Sequence, residues 1–61
     1  MYVGENYEFK SLMCLSGNTI TGNYLILGHT IINELECLVL KNEWSNKLEV
    51  ATLEELKQAK I

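Results

Sequence analysis

The chain has 61 residues, of which 48% are hydrophobic and 21% charged, a globular composition at the lower limit of length for a domain that folds without metals or several disulfides. Eight glutamates against five lysines give a net charge of -3, and neither aspartate nor arginine occurs. Without the guanidinium fork that suits phosphates and base edges, nucleic acid is a disfavoured partner, although lysines gathered on one face would restore it.

The opening MYVGENYEF lacks the basic stretch and apolar run of a secretory leader, so a cytoplasmic protein is expected, with Cys14 and Cys37 reduced. The longest apolar region, YLILGHTIINELECLVL, is interrupted by Gly28, His29, Asn33, Glu34 and Glu36 and is unsuited to a bilayer. Lysine as the sole basic residue, with abundant Asn and Ile, is the composition of an AT-rich genome, such as a low-GC bacterium or one of its phages.

In chain order the pattern is mostly of period two. A first strand is predicted over 6–14, with Tyr7, Phe9, Ser11, Met13 and Leu15 on one face and Glu8, Lys10, Leu12 and Cys14 on the other. The turn formers of SGNTITGN follow. A second strand is predicted over 19–27, with Gly22 at a bulge or tight bend. Gly28 and His29 are read as the next turn, and a third strand runs over 31–41. There Ile31, Leu35, Cys37 and Val39 share one face, while Ile32, Glu34, Glu36, Leu38 and Leu40 share the other. The second of these faces ends apolar, so Leu38 and Leu40 need cover from the tail, from curling of the sheet or from another subunit. A fourth strand is predicted over 47–51, with Leu48 and Val50 inward and Glu49 outward.

The period changes after Val50. Thr52 followed by Glu55 forms a capping-box pattern, with Glu54 and Glu55 at the positive end of a helix over 53–60 and Lys57 and Lys60 at the other. Leu53, Leu56 and Ala59 fall on one side. Two turns are too short to stand alone, so this helix must dock, either as a lid on the sheet or as a partner-binding element.

VGENYEF, GNYLILG followed by ELECLVLKN, and KLEVATLEEL together resemble small SH3-like barrels: a Val-Gly-polar entry, a strongly bent middle hairpin, and a last strand closed by a Leu-Glu helical turn. The resemblance implies a mainly β fold, an SH3-like antiparallel barrel or strongly bent sheet of 4–5 strands with a short C-terminal helix. Tudor and KOW relatives use an aromatic cage or a basic rim, and this chain departs from both patterns, having no arginine and aromatics spread along the sequence.

Candidate sites are few. His29, Cys14 and Cys37 are three soft ligands where a structural zinc takes four, usually at paired spacings, so no metal or other cofactor is expected. A lone histidine, scattered serines and no aspartate give no spacing that demands nucleophilic catalysis, and the chain is not expected to be an enzyme. The expected function is protein interaction through Leu38, Leu40 and Trp44, with an unidentified protein partner, as in an accessory protein or inhibitor of a mobile element. Trp44, between the turn formers of NEWSN, either stands exposed as an interface anchor or folds back over the core. Glu34, Glu36 and Glu43 are either an acidic patch or a solvated face. The alternative function is nucleic-acid association through Lys10, Lys41 and Lys47, and surplus apolar surface also makes a homodimer an expectation.

Overall fold

The computed structural model describes residues 2–61. Its described residues form strands β1 (Asn6–Met13), β2 (Thr19–Ile32), β3 (Leu35–Asn42) and β4 (Leu48–Thr52), followed directly by helix α1 (Leu53–Ala59). The strands make one antiparallel sheet in the order β1-β2-β3-β4, so each strand pairs with its sequence neighbour. The fold is mainly β: a strongly bent, unclosed sheet with a short C-terminal helix.

Two one-residue slips shape this sheet. Between β1 and β2 the register passes from Phe9↔Gly22 to Leu12↔Ile20, leaving Lys10 and Ser11 opposite the single Thr21. The Thr21 hydroxyl lies 3.1 Å from Phe9 O and 2.9 Å from Lys10 O, its one proton shared between these bulge carbonyls, and Gly22 takes φ +106, which favours glycine. Between β2 and β3 the register passes from Ile26↔Leu40 to Gly28↔Val39, leaving Leu27 unopposed.

An extra residue reverses the alternation beyond it. Phe9 and Leu12, expected on opposite faces, therefore both enter the core with Cys14, while Met13 and Leu15, expected to share the face of Phe9, are exposed. Gly28 and His29 were expected to form a turn. They lie instead within β2, where Gly28 follows the bulged Leu27 and the chain bends without reversing.

The reversal comes at Asn33 and Glu34, with φ 50 and 64. Two consecutive left-handed residues are the mark of a type I′ hairpin turn, whose twist matches that of the flanking strands. Asn suits this conformation, and Glu occupies it against its steric preference. Asn33 and Glu34 were both expected inside a strand, which begins instead at Leu35.

The core comprises Phe9, Leu12, Cys14, Ile20, Tyr24, Ile26, Leu38, Leu40, Ala51 and Leu56, with Tyr2, Tyr7, Leu53 and Ala59 packed against it. Leu38 and Leu40 are thus covered by the curled sheet and by the helix. At the start of α1 the Thr52 hydroxyl accepts from the Glu55 amide at 3.2 Å. Leu56 is fully buried, which contributes about 1.5–3 kcal/mol to docking. The tail is therefore a lid. Lys60, expected in the last turn, is extended and pairs with Phe9 as a β-bridge, and the Ile61 amide donates to Glu8 O at 2.9 Å. At the other end of β1 the Leu15 amide donates to Val50 O at 2.8 Å, so short pieces of chain cover both sheet edges.

Two expectations follow for urea unfolding. Thr52→Ala lowers stability by about 1 kcal/mol through loss of the cap, with Thr52→Ser close to neutral. Glu34→Gly, which makes an Asn-Gly type I′ turn, raises stability by roughly 0.5–1 kcal/mol; an unchanged or lower midpoint would contradict the strain assigned to Glu34.

Candidate protein interface

The inward set Ile26, Leu38, Leu40 and Ala51 fixes the opposite set on the outer face of β2, β3 and β4. By register, Leu25, Lys41 and Leu48 stand in one row. Gly28, Val39 and Val50 form the next, then Thr30, Cys37 and Thr52, and finally Ile32 beside Leu35. This face is apolar along most of its length, and Leu48, Leu35 and Ile32 remain 56%, 52% and 38% exposed.

Leu38 and Leu40, expected to offer the partner surface, are core residues at 1% and 0% exposure. Leu48 and Val50, expected inward, lie on the outer side, and the core position of β4 is the smaller Ala51. Glu49, expected outward, pairs in register with the buried Leu40. Its carboxylate accepts from the Ser16 hydroxyl at 3.2 Å. The odd-numbered side of β3, with Leu35 and Val39, was legible as apolar; that it faces outward was not.

Trp44 projects from the loop between β3 and β4, 89% exposed. The loop is built locally: Asn42 Oδ1 accepts from the Trp44 amide at 2.7 Å and the Ser45 amide at 3.1 Å, and the Ser45 hydroxyl accepts from the Lys47 amide at 3.4 Å. Such an Asx turn orders the backbone and leaves the indole in solvent. Immediately after the loop, Leu48 joins Leu15, Ser16, Ile32, Glu49 and Val50 in lining a shallow groove of ≈ 330 Å³.

The remaining candidates fall elsewhere. Lys41 pairs with Leu48 in register and Lys47 is tied to Asn42 through its carbonyl, whereas Lys10 lies in the β1 bulge. Glu34 and Glu36 join Leu35, Thr52, Leu53, Glu54 and Lys57 around a second open groove of ≈ 420 Å³, and Glu36 Oε1 lies 3.2 Å from His29 Nε2. Glu43 belongs to the Trp44 loop. The aromatics spread along the sequence meet in space: Tyr2, Tyr7, Phe9 and Tyr24 form a row with successive centroids 5.6, 6.5 and 6.4 Å apart. The chain's own Lys60 lies over two of these rings, its Nζ 4.6 Å from the Tyr7 centroid and 5.7 Å from that of Tyr2.

Both thiols are free and buried. Cys14 belongs to the core, whereas Cys37 lies on the outer side, beneath its neighbours, with its Sγ 3.5 Å from Leu35 O. Among the described residues no three His, Cys or Glu side chains gather as a metal-binding group, and no helix is long and apolar enough to cross a membrane. No family model, curated protein or solved structure matches the chain.

Burial pushes the Cys14 thiol up to about 11, with the Glu49 carboxylate adding to the shift. The unfolded chain releases this proton near the ordinary value of 9.0 while the folded chain keeps it. Stability is therefore full below pH 9 and drains away as pH rises toward 11. The Tyr7 hydroxyl, donating to the Glu5 carboxylate, is raised to about 12 by that bond and by desolvation, and extends the decline upward. In a pH series of urea unfolding curves, Cys14→Ala should lose the portion between 9 and 11; an unaltered slope there would exclude Cys14 as its source.

Proposed function

We propose that this chain is a small non-enzymatic protein-interaction module that binds its partner through Trp44 and the outer sheet face around Leu48. The observation that carries the reading is the exposure of Trp44 on a hydrogen-bonded loop beside that apolar face. Large aromatics at the centre of interfaces supply much of the binding energy, and contiguous exposed apolar surface marks interaction sites. A solvated indole without a partner forgoes that gain.

The bent meander and its closing helical turn support kinship with small SH3-like modules. The acidic balance of the chain and its use of lysine without arginine, a composition encoded by AT-rich genomes, support an accessory protein or inhibitor of a phage or other mobile element, acting on a host protein in the cytoplasm. Net charge of -3 and the separation of Lys10 from Lys41 and Lys47 favour protein over nucleic acid as the partner.

Affinity capture from the native host checks this reading. Trp44→Ala and Leu48→Glu should each lower recovery of a specific protein by at least about tenfold, the effect of losing roughly 1.4 kcal/mol at an anchor. Both residues are exposed, so both variants should fold. Recovery of every partner by both variants at the wild-type level would remove the assignment.

A further inference from the structure

The residues that follow α1 lie along the outer edge of β1, and a single charge sits at the centre of that contact. We propose that Lys60 is a charge latch and a modification site: its ammonium, held over the Tyr7 and Tyr2 rings, keeps residues 60–61 against β1, and acylation of its Nζ releases them.

The geometry begins at the end of the helix. Lys60 takes the extended angles φ -68 and ψ 132 directly after Ala59, which lets it bridge Phe9 in antiparallel fashion. Tyr7 lies two residues before Phe9 and so on the same face of β1. A long side chain reaches a diagonal neighbour across such a pair. The Lys60 stem thus carries its ammonium to 4.6 Å from the Tyr7 centroid and 5.7 Å from that of Tyr2. The two rings are 5.6 Å apart and inclined at 61°, and their faces form the notch that receives the cation.

Among the described residues no carboxylate forms an ion pair with Lys60, so the aromatic faces are what holds its charge. The Tyr7 hydroxyl donates to the Glu5 carboxylate, and a phenol that donates to an anion presents a more electron-rich face to the ammonium above it. The other ties of this segment are thin. The Ile61 amide donates to Glu8 O at 2.9 Å, while the Ile61 side chain is 73% exposed and anchors nothing. The cation over the rings therefore governs how often the segment leaves β1.

Opening frees the amine. In the open form Nζ, having given one proton to water, attacks the carbonyl carbon of an acyl thioester; a C–N bond forms, the C–S bond breaks, and the thiol leaves with a second proton. The amide left on Lys60 has no charge to offer the rings. The modified chain consequently stays open, with Glu8 O on the β1 edge uncovered.

Hydrogen exchange of the full chain, followed by NMR, tests the latch at the Ile61 amide. Its protection is taken relative to an unstructured peptide carrying the same residue 60, which removes the intrinsic effect of the side chain. With acetyl-lysine at position 60, or in Lys60→Gln, protection should fall about two- to fivefold, the value of an exposed cation–π contact. Lys60→Arg keeps the charge and should keep the protection. Amides of β3, which is paired on both sides, should exchange as in the unaltered chain in all three. Mapped by peptide mass, acetylation by acetyl coenzyme A should reach Lys60 about two- to fivefold faster in Tyr7→Leu than in the unaltered chain, with Lys57 unaffected.

Unchanged Ile61 protection after acetylation and in Lys60→Gln would overturn the latch. An equal loss in Lys60→Arg would do the same, because shape and not charge would then be the cause. A loss that extends to β3 would make Lys60 a support of the whole fold and would likewise overturn it. Equal acetylation of Lys60 with and without the Tyr7 ring would strike it as a site gated by the latch.

Discussion

The strict alternation of a β-strand, interrupted twice by a single extra residue, decides what every other part of this molecule can do. A strand presents successive side chains to opposite faces, so an unopposed residue exchanges inside and outside for all that follows. In β1 the extra residue lies between Phe9 and Leu12 and sends both into the core. In β2 it is Leu27, after which Gly28 faces outward and His29 stands in register with the buried Leu38. The bends that accompany these bulges curl the four strands around one set of apolar side chains.

Curling solves the problem of size. A flat four-stranded sheet of this length leaves one complete face to water, whereas the bent sheet and the two-turn helix enclose Phe9, Ile26, Leu38, Leu40 and Leu56 together. The helix cannot persist alone, and its buried Leu56 joins the core that the sheet encloses, so its stability depends on docking. Enclosure uses the even-numbered leucines of β3 and leaves Val39, Leu35 and their β4 neighbours outside. The apolar outer face follows from a chain rich in apolar residues on both sides of its strands, with one core to fill.

Elements governed by local chemistry were legible in the sequence: the Thr52 cap, the start of the helix at Leu53, the turn formers around Gly17 and Asn18, and the loop that carries Trp44. Each depends on a few neighbouring residues whose hydrogen bonds or φ preferences act within one turn. What was not legible depended on register. Gly28 is the stronger turn former by residue type, yet glycine marks both turns and bulges and the sequence does not distinguish them. The type I′ turn lies at Asn33-Glu34, a pair whose second residue is a poor candidate on propensity alone. The face that Leu38 and Leu40 share begins with Glu34 and Glu36 and ends apolar, a pattern that leaves open whether the tail, the curled sheet or another subunit covers the two leucines. Those carboxylates lie at the projecting tip of the hairpin, clear of the core, so one face is polar at its tip and buried at its base.

The short pieces of chain that cover the sheet edges also set the order of events in folding. The amide of Leu15 reaches Val50, and that of Ile61 reaches Glu8; in each case the partners lie far apart in sequence, and each contact closes a long loop before it returns any energy. The β2–β3 hairpin needs only its two-residue turn, so it can form early and act as the template on which β1 and β4 assemble. Closure of the β1 edge needs the helix to bring Lys60 and Ile61 back to β1. A topology of this kind belongs to the slower, non-local class of small folds. Its final step replaces two exposed strand edges with the molecule's own backbone.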